Sequence, residues 1–156
     1  MSAITNILVP TDGSEGALKA AKHAADMARA LNARLTVLFV LTDDLIVSNA
    51  WGAAEFTELG PTGTMPVEDI RNLLEKKARE NEMADTLAAL GDLPHEAETA
   101  VVWGHVADAI CNYAKENAVD LLVIGSHGRT GVKRMLLGSV SHVVANQAPC
   151  PVTIVR

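Results

Sequence analysis

Short aliphatic runs alternate along this chain with longer stretches whose apolar residues recur every three or four positions. Residues 4–9, 34–41, 121–124 and 152–155 are the aliphatic runs. Such runs predict strands, and the near-continuous Val/Ile/Leu character predicts burial on both faces of a parallel sheet. Pro10 is expected to stop the first, because proline cannot donate to a central ladder. Residues 95–103 instead alternate in polarity, at Ala97, Thr99 and Val101, which predicts a half-buried strand at or near a sheet edge. Residues 16–31 place Leu18, Ala21, Ala25, Ala28 and Leu31 on one helical stripe, with Asn32 as the C-terminal cap. Residues 67–90 form the longest helical stretch, loosely periodic at Ile70, Leu73/Leu74, Lys77/Ala78, Glu82 and Leu87, with a charged, solvated opposite face. Residues 105–117 turn Val106, Ala109, Ile110, Tyr113 and Ala114 inward, and 139–147 make a short helix stopped by two prolines, Pro149 and Pro151. Five strands alternating with four helices predict an α/β fold: a doubly wound, open five-stranded parallel sheet with helices on both faces. The 156 residues are expected to form a single domain, 1–156, with a core of useful size.

Residues 42–66 break the pattern. Four residues there are glycines or prolines between 60 and 66, and two of the chain's five aromatic residues, Trp51 and Phe56, fall in the same stretch. A long loop is expected, its aromatics tacking it to the body or, alternatively, forming a lid or an oligomer contact. Composition narrows the partners. Hydrophobic residues make up 49 % and aromatics only 3 %, so the core is aliphatic. A net charge of −6 without a basic stripe argues against nucleic acid and anionic membranes. Cys111 and Cys150 show no metal-ligand spacing and read as free thiols in a reducing compartment. No apolar run reaches membrane-spanning length and the N-terminus lacks a signal-peptide pattern, so a cytoplasmic location is expected.

The chemistry concentrates in residues 120–141. A buried strand breaks into Gly125, Gly128, Gly131 and Gly138, with Arg129 and Lys133 between them, and Ser139 and Ser141 follow at the start of a helix. Phosphate loops are built this way. Glycines let backbone N–H groups approach an anion and permit positive φ, and a serine-capped helix start adds N–H groups and the positive end of a dipole. In a doubly wound sheet, ligands bind at the carboxyl ends of strands where strand order reverses. With the first strand central and the fourth beside it, the turn at 10–14 faces the loop at 125–128 across one crevice. Val40, at the end of the second strand, forms its apolar wall. A base against Val40, ribose or a metal near Asp12, and phosphates on the glycine loop make a nucleotide site.

These residues resemble the universal stress protein family in its ATP-binding branch. The family signature is Gly, two residues, Gly, nine residues, Gly, then Ser or Thr. It reads here as Gly125-Ser126-His127-Gly128, residues 129–137, then Gly138-Ser139. The first-strand signature reads Ile7-Leu8-Val9-Pro10-Thr11-Asp12-Gly13-Ser14, and the ending Cys150-Pro151-Val152-Thr153-Ile154-Val155. The resemblance implies strand order 3-2-1-4-5, as in adenine nucleotide α-hydrolase-like folds. It also implies binding of ATP or another adenine nucleotide, to which the residue reading adds Asp12 as a candidate Mg²⁺ ligand. Carried onto this sequence, Pro10, Thr11 and Asp12 surround adenine and ribose, and Val40 meets the base. Gly125, Ser126, His127, Gly128 and Arg129 form the first half of the phosphate loop, and Gly138, Ser139, Val140 and Ser141 the second. The resemblance further implies a homodimer through antiparallel pairing of Val152–Val155, an edge strand that needs cover, and leaves room for a higher oligomer and an unknown protein partner.

Catalytic machinery is not expected. Ser126 and His127 are adjacent, so their side chains are expected to point apart. No Walker A, G-x-G-x-x-G or G-x-S-x-G pattern occurs, and Asp12 lacks a second carboxylate for paired acid–base work. His142 reads as structural. Three functions follow: a nucleotide-responsive regulatory or stress-response module; a slow Mg²⁺-dependent ATP hydrolase with Asp12 holding the metal; and a nucleotide-independent interaction protein.

Overall fold

The computed structural model describes residues 3–45, 66–129 and 137–156. Most of the 42–66 loop, with Trp51 and Phe56, and Gly131 and Lys133 of the glycine stretch lie outside the described residues. Five parallel strands form one sheet in the order β3-β2-β1-β4-β5. They are β1 (Asn6–Pro10), β2 (Arg34–Leu41), β3 (Glu98–Trp103), β4 (Leu121–Gly125) and β5 (Val152–Val155). The helices are α1 (Glu15–Leu31), α2 (Val67–Lys77), α3 (Ala84–Ala88), α4 (Val106–Glu116) and α5 (Ser139–Gln147). The doubly wound sheet expected from the alternation is present, with β3 and β5 at its edges.

Side-chain alternation along the strands builds two cores. Ile7, Val9, Leu35, Val37, Phe39, Leu121 and Val123 face α1 and the α2–α3 layer. Leu8, Leu38, Leu122 and Ile124 face α4 and α5, through Ala107, Ile110, Ala114 and Val144. The first core is tight because the fully buried residues that α1 gives it are all alanine, Ala20, Ala21, Ala24, Ala25 and Ala28, with Met27 packed at its margin. The stripe expected on this helix is therefore shifted. Leu31 is exposed and Leu18 only half-buried, because the sheet comes too close to admit a leucine where the alanines sit. Ser14 caps the helix through the Ala17 N–H, and Asn32 ends it at φ 52°.

β1 stops at Pro10, which is itself the strand's last residue. Alternate residues of a parallel strand hydrogen-bond to opposite neighbours. The Thr11 N–H donates to the Leu38 carbonyl on the β2 side, and the Asn6 carbonyl accepts from the Asp120 N–H on the β4 side. Pro10 shares the phase of Asn6, so its missing N–H faces β4. Pairing with β2 runs through to Pro10↔Leu38, but pairing with β4 ends at Leu8↔Leu122. The two central strands part beyond Leu8, and the crevice opens there.

The long helical stretch is not a continuous α-helix. Residues Ala78–Glu82 form a π-turn, in which the Met83 N–H donates to the Ala78 carbonyl at 2.9 Å. The π-turn inserts one residue into the repeat. Ile70, Leu74 and Ala78 are buried at four-residue spacing, and the next buried position is Met83, followed by Thr86. Glu82, expected on the inward row, is carried to its side, and Leu73 is exposed. This layer also covers edge strand β3. The Trp103 indole N–H donates to Glu75 at 2.7 Å, and the Arg71 guanidinium lies 4.6 Å from the Trp103 ring centre. Cys111 and Cys150 are free and half-buried, and burial pushes both thiols up. Among the described residues, no helix is long and apolar enough to cross a membrane.

Asp120, just before β4, accepts from the backbone N–H groups of Thr5 and Asn6 and from the Thr5 hydroxyl, each at 2.9 Å. These bonds favour the charged form, so its carboxyl lies below its ordinary value of 3.8. The stabilisation is present above that ordinary value and is lost as pH falls through the lower folded-state value. Asp120→Asn is expected to flatten the acid limb of a urea-stability profile measured between pH 5 and pH 2 (~1 kcal/mol at pH 7 for exposed bonds of this kind). An unchanged acid limb would show that the anchor carries no stability.

Candidate functional site

The crevice opened between β1 and β4 is a cavity of about 410 Å³, within the range of small-molecule sites. Leu38, Phe39, Val40, Val106, Ile110 and Ile124 make its apolar side. Pro10, Thr11, Asp12, Gly125, His127, Gly128, Arg129, Gly138, Ser139, Val140 and Ser141 also line it. All the residues expected at the site are thus brought round one cavity except Ser126. That side chain is buried behind the loop, with its Oγ 3.1 Å from Nδ1 of His127. The neighbours do not point apart. The chain turns sharply at the end of β4, and the two polar side chains fold onto each other.

Ser14, in the 10–14 turn expected to face the crevice, lines the cavity, as do Ala17, Leu38, Phe39, Val106, Ile110 and Ile124, which the sequence did not assign to it. Val106 and Ile110 carried a partial signal, since the periodicity of 105–117 turns both inward. Which inward-facing residues sit at the open end of the sheet depends on where the strands part, and no local pattern reports that.

Two polar turns are tied across the crevice by Asp12. Its Oδ1 accepts from the Ser14 N–H at 2.9 Å, and its Oδ2 accepts from the Arg129 N–H at 3.0 Å. The Thr11 hydroxyl lies 2.8 Å from that of Thr86 and accepts from the Gly13 N–H at 3.1 Å. The first pair is buried and bolts the β1 turn to α3. A carboxylate with one hydrogen bond on each oxygen keeps lone pairs for a cation. Mg²⁺ is commonly held by one or two carboxylates together with ligand phosphates. Asp12 fits that limited role, whereas no cluster of three or more His, Cys, Asp or Glu able to hold a metal occurs among the described residues.

The glycines act by close approach rather than by positive φ. Gly125, Gly128 and Gly138 all lack the left-handed conformation. A Cβ on Gly125 would lie 2.7 Å from the Gly16 carbonyl oxygen, where β4 presses against the start of α1. A Cβ on Gly128 would lie 2.6 Å from Asp12 Oδ2. Helix α5 is not serine-capped either. Gly138 holds the N-cap position with no side-chain cap, and the Ser141 hydroxyl donates to the Gly125 carbonyl at 2.6 Å. Ser141 therefore stitches α5 to the end of β4, while the first turn of α5 presents backbone N–H groups and a positive dipole end at the cavity. His142 is exposed.

The two contacts differ in what must give way. Gly125→Ala sets a methyl against fixed backbone and is expected to cost about 2–3 kcal/mol in chemical denaturation. Gly128→Ala displaces one carboxylate and is expected to cost about 1 kcal/mol. Equal losses for the two variants would contradict this geometry.

The Universal stress protein family profile matches residues 3–156. Universal stress protein YxiE of Bacillus subtilis is 36 % identical over 151 residues, covering 96 % of this chain and 97 % of the relative. The solved structure of MJ0577, a universal stress protein of Methanocaldococcus jannaschii, superposes with a TM-score of 0.76 at 29 % identity, covering 99 % of this chain and 96 % of the other. A universal stress protein solved in complex with cAMP superposes at 0.60 with 28 % identity, covering 99 % of this chain and 98 % of the other. The chain belongs to the universal stress protein family.

Proposed function

We propose that this protein is an adenine-nucleotide-binding regulatory module whose ligand is ATP. The observation that carries the reading is the division of the cavity into an apolar side and a phosphate-suited end. Val40, Leu38, Val106 and Ile110 offer an adenine ring contacts without charge. Asp12 and Thr11 stand where β1 ends, suited to ribose hydroxyls. Gly128 and the uncapped first turn of α5 offer N–H groups to phosphates, with Arg129 lining the same end. Mg²⁺ would accompany the phosphates with Asp12 beside it, supplying charge neutralisation. The cAMP complex of a relative supports the ligand class.

The site reads as a binding device rather than a rapid catalyst. His127 holds Ser126, and both oxygens of Asp12 are engaged by backbone N–H groups. Ser126 and His127 are within hydrogen-bond reach of each other, but the serine lies outside the cavity lining and offers it no nucleophile. Occupancy would be read out through subunit or partner contacts. Edge strand β5, with Val152–Val155 half-buried and paired only to β4, is the surface proposed for antiparallel pairing in a homodimer. The reading places the protein in the cytoplasm.

Nucleotide-stripped protein is expected to gain about 5–10 °C in Tm from 1 mM ATP at a Kd of about 10 μM. Gly128→Val, which crowds Asp12 and the loop together, is expected to lose that gain. An ATP-independent Tm in the wild-type protein would sink the reading. So would an equal ATP response in Gly128→Val.

A further inference from the structure

Arg129 lines the cavity, yet its guanidinium is committed elsewhere. Nη2 pairs with Glu82 Oε2 at 2.5 Å. The pair lies over the β1 turn: a Cβ built on Gly13 would fall 3.4 Å from Arg129 Nη2 and 3.9 Å from Glu82 Oε2. Neither Gly13 nor Glu82 lines the cavity. The arginine therefore reaches from the loop, across the turn, to the π-turn on the far side, while its backbone N–H stays on Asp12.

Glu82 is available for this contact because of the π-turn. An uninterrupted α-helix continuing the buried row Ile70, Leu74, Ala78 would point residue 82 at the sheet. The inserted residue gives that place to Met83, which is fully buried, and swings Glu82 toward the β1 turn. Thr86, one turn later, locks the same segment to Thr11 through the buried hydroxyl pair. The carboxylate is thus held in place from the helix side, and the arginine is the partner with room to move. Its side chain is 60 % exposed against 41 % for Glu82. An exposed pair of this kind is weak enough for another anion to displace.

We propose that Glu82 is a specificity-determining residue that makes the site discriminate adenine ligands by phosphate charge; the proposal rests on the nucleotide reading of the cavity. Glu82 keeps Arg129 in an internal ion pair. A nucleoside gains nothing from breaking it. A nucleoside polyphosphate offers a denser anion, and takes the guanidinium only after outcompeting Glu82. The carboxylate thus lowers affinity selectively for the ligands that need Arg129, setting a threshold for polyphosphate binding without touching the base.

The test is calorimetric titration of full-length wild-type protein, Glu82→Gln and Glu82→Ala with adenosine, AMP and ATP at one ionic strength. Both variants are expected to bind ATP about two- to fivefold more tightly, matching the strength of an exposed ion pair, with adenosine affinity unchanged. In an Arg129→Gln background, Glu82→Gln is expected to leave the ATP-to-adenosine ratio where Arg129→Gln alone puts it, which a merely structural glutamate would not do. Weaker ATP binding in the Glu82 variants, equal shifts for ATP and adenosine, or persistence of the effect without Arg129 would overturn the assignment. If wild-type protein binds ATP and the ratio does not respond to Glu82, only this assignment falls. If wild-type protein binds no adenine ligand, the reading of the cavity falls and this proposal with it.

Discussion

Beyond Leu8 the two central strands stop sharing hydrogen bonds, and the rest of the site depends on that parting. Pairing between β1 and β4 ends at Leu8↔Leu122, while β1 and β2 stay paired to Pro10↔Leu38. A residue with an N–H at position 10 would offer a donor toward β4; Pro10 offers none, so separation there leaves no orphaned amide. The crevice sits where doubly wound topology sends successive connections to opposite faces: α1 lies on one side of the sheet and α4 and α5 on the other.

Close approach then shapes the opening. The alanine face of α1 and the contact between Gly16 and Gly125 bring the helix start hard against the end of β4. Ser141 holds the first turn of α5 to the same point through the Gly125 carbonyl. Asp12 ties the two polar turns by taking one N–H from each. Each of these contacts uses a small or short side chain, because the backbones lie too near one another for anything larger. The result is a cavity whose polar end combines short side chains with the first turn of α5, in an acidic protein that has no basic stripe to offer an anion.

The second helical layer is coupled to this end of the cavity rather than merely packed on the sheet. The Thr11–Thr86 hydroxyl pair and the Arg129–Glu82 ion pair both join it to the polar turns. The π-turn makes that coupling. It lets one helical stretch bury Ala78 and Met83 in the same core while releasing Glu82 sideways. Functional sites often sit beside such local departures from regular structure.

The sheet was legible in the sequence because strand burial and helix periodicity are local signals. The aliphatic runs at 34–41 and 121–124, the alternation at 95–103 and the glycines at the end of β4 each predict their element without reference to the rest of the chain. The residues brought round the cavity were legible for the same reason where they lie in compact motifs, as at 10–12, 125–129 and 138–141. Other features depend on distances between segments far apart in sequence, and only the tertiary structure decided them. The alanine row of α1 replaced the leucine-bearing one because of how near the sheet lies. Ser126 turned toward His127 and out of the cavity because of how the chain bends after β4. Met83 took the inward place of Glu82 because the core required a one-residue shift that no helical repeat announces. The amino-acid pattern determined which elements form and which face each buries. Packing between them determined where the central strands part, and so which side chains meet at the opening.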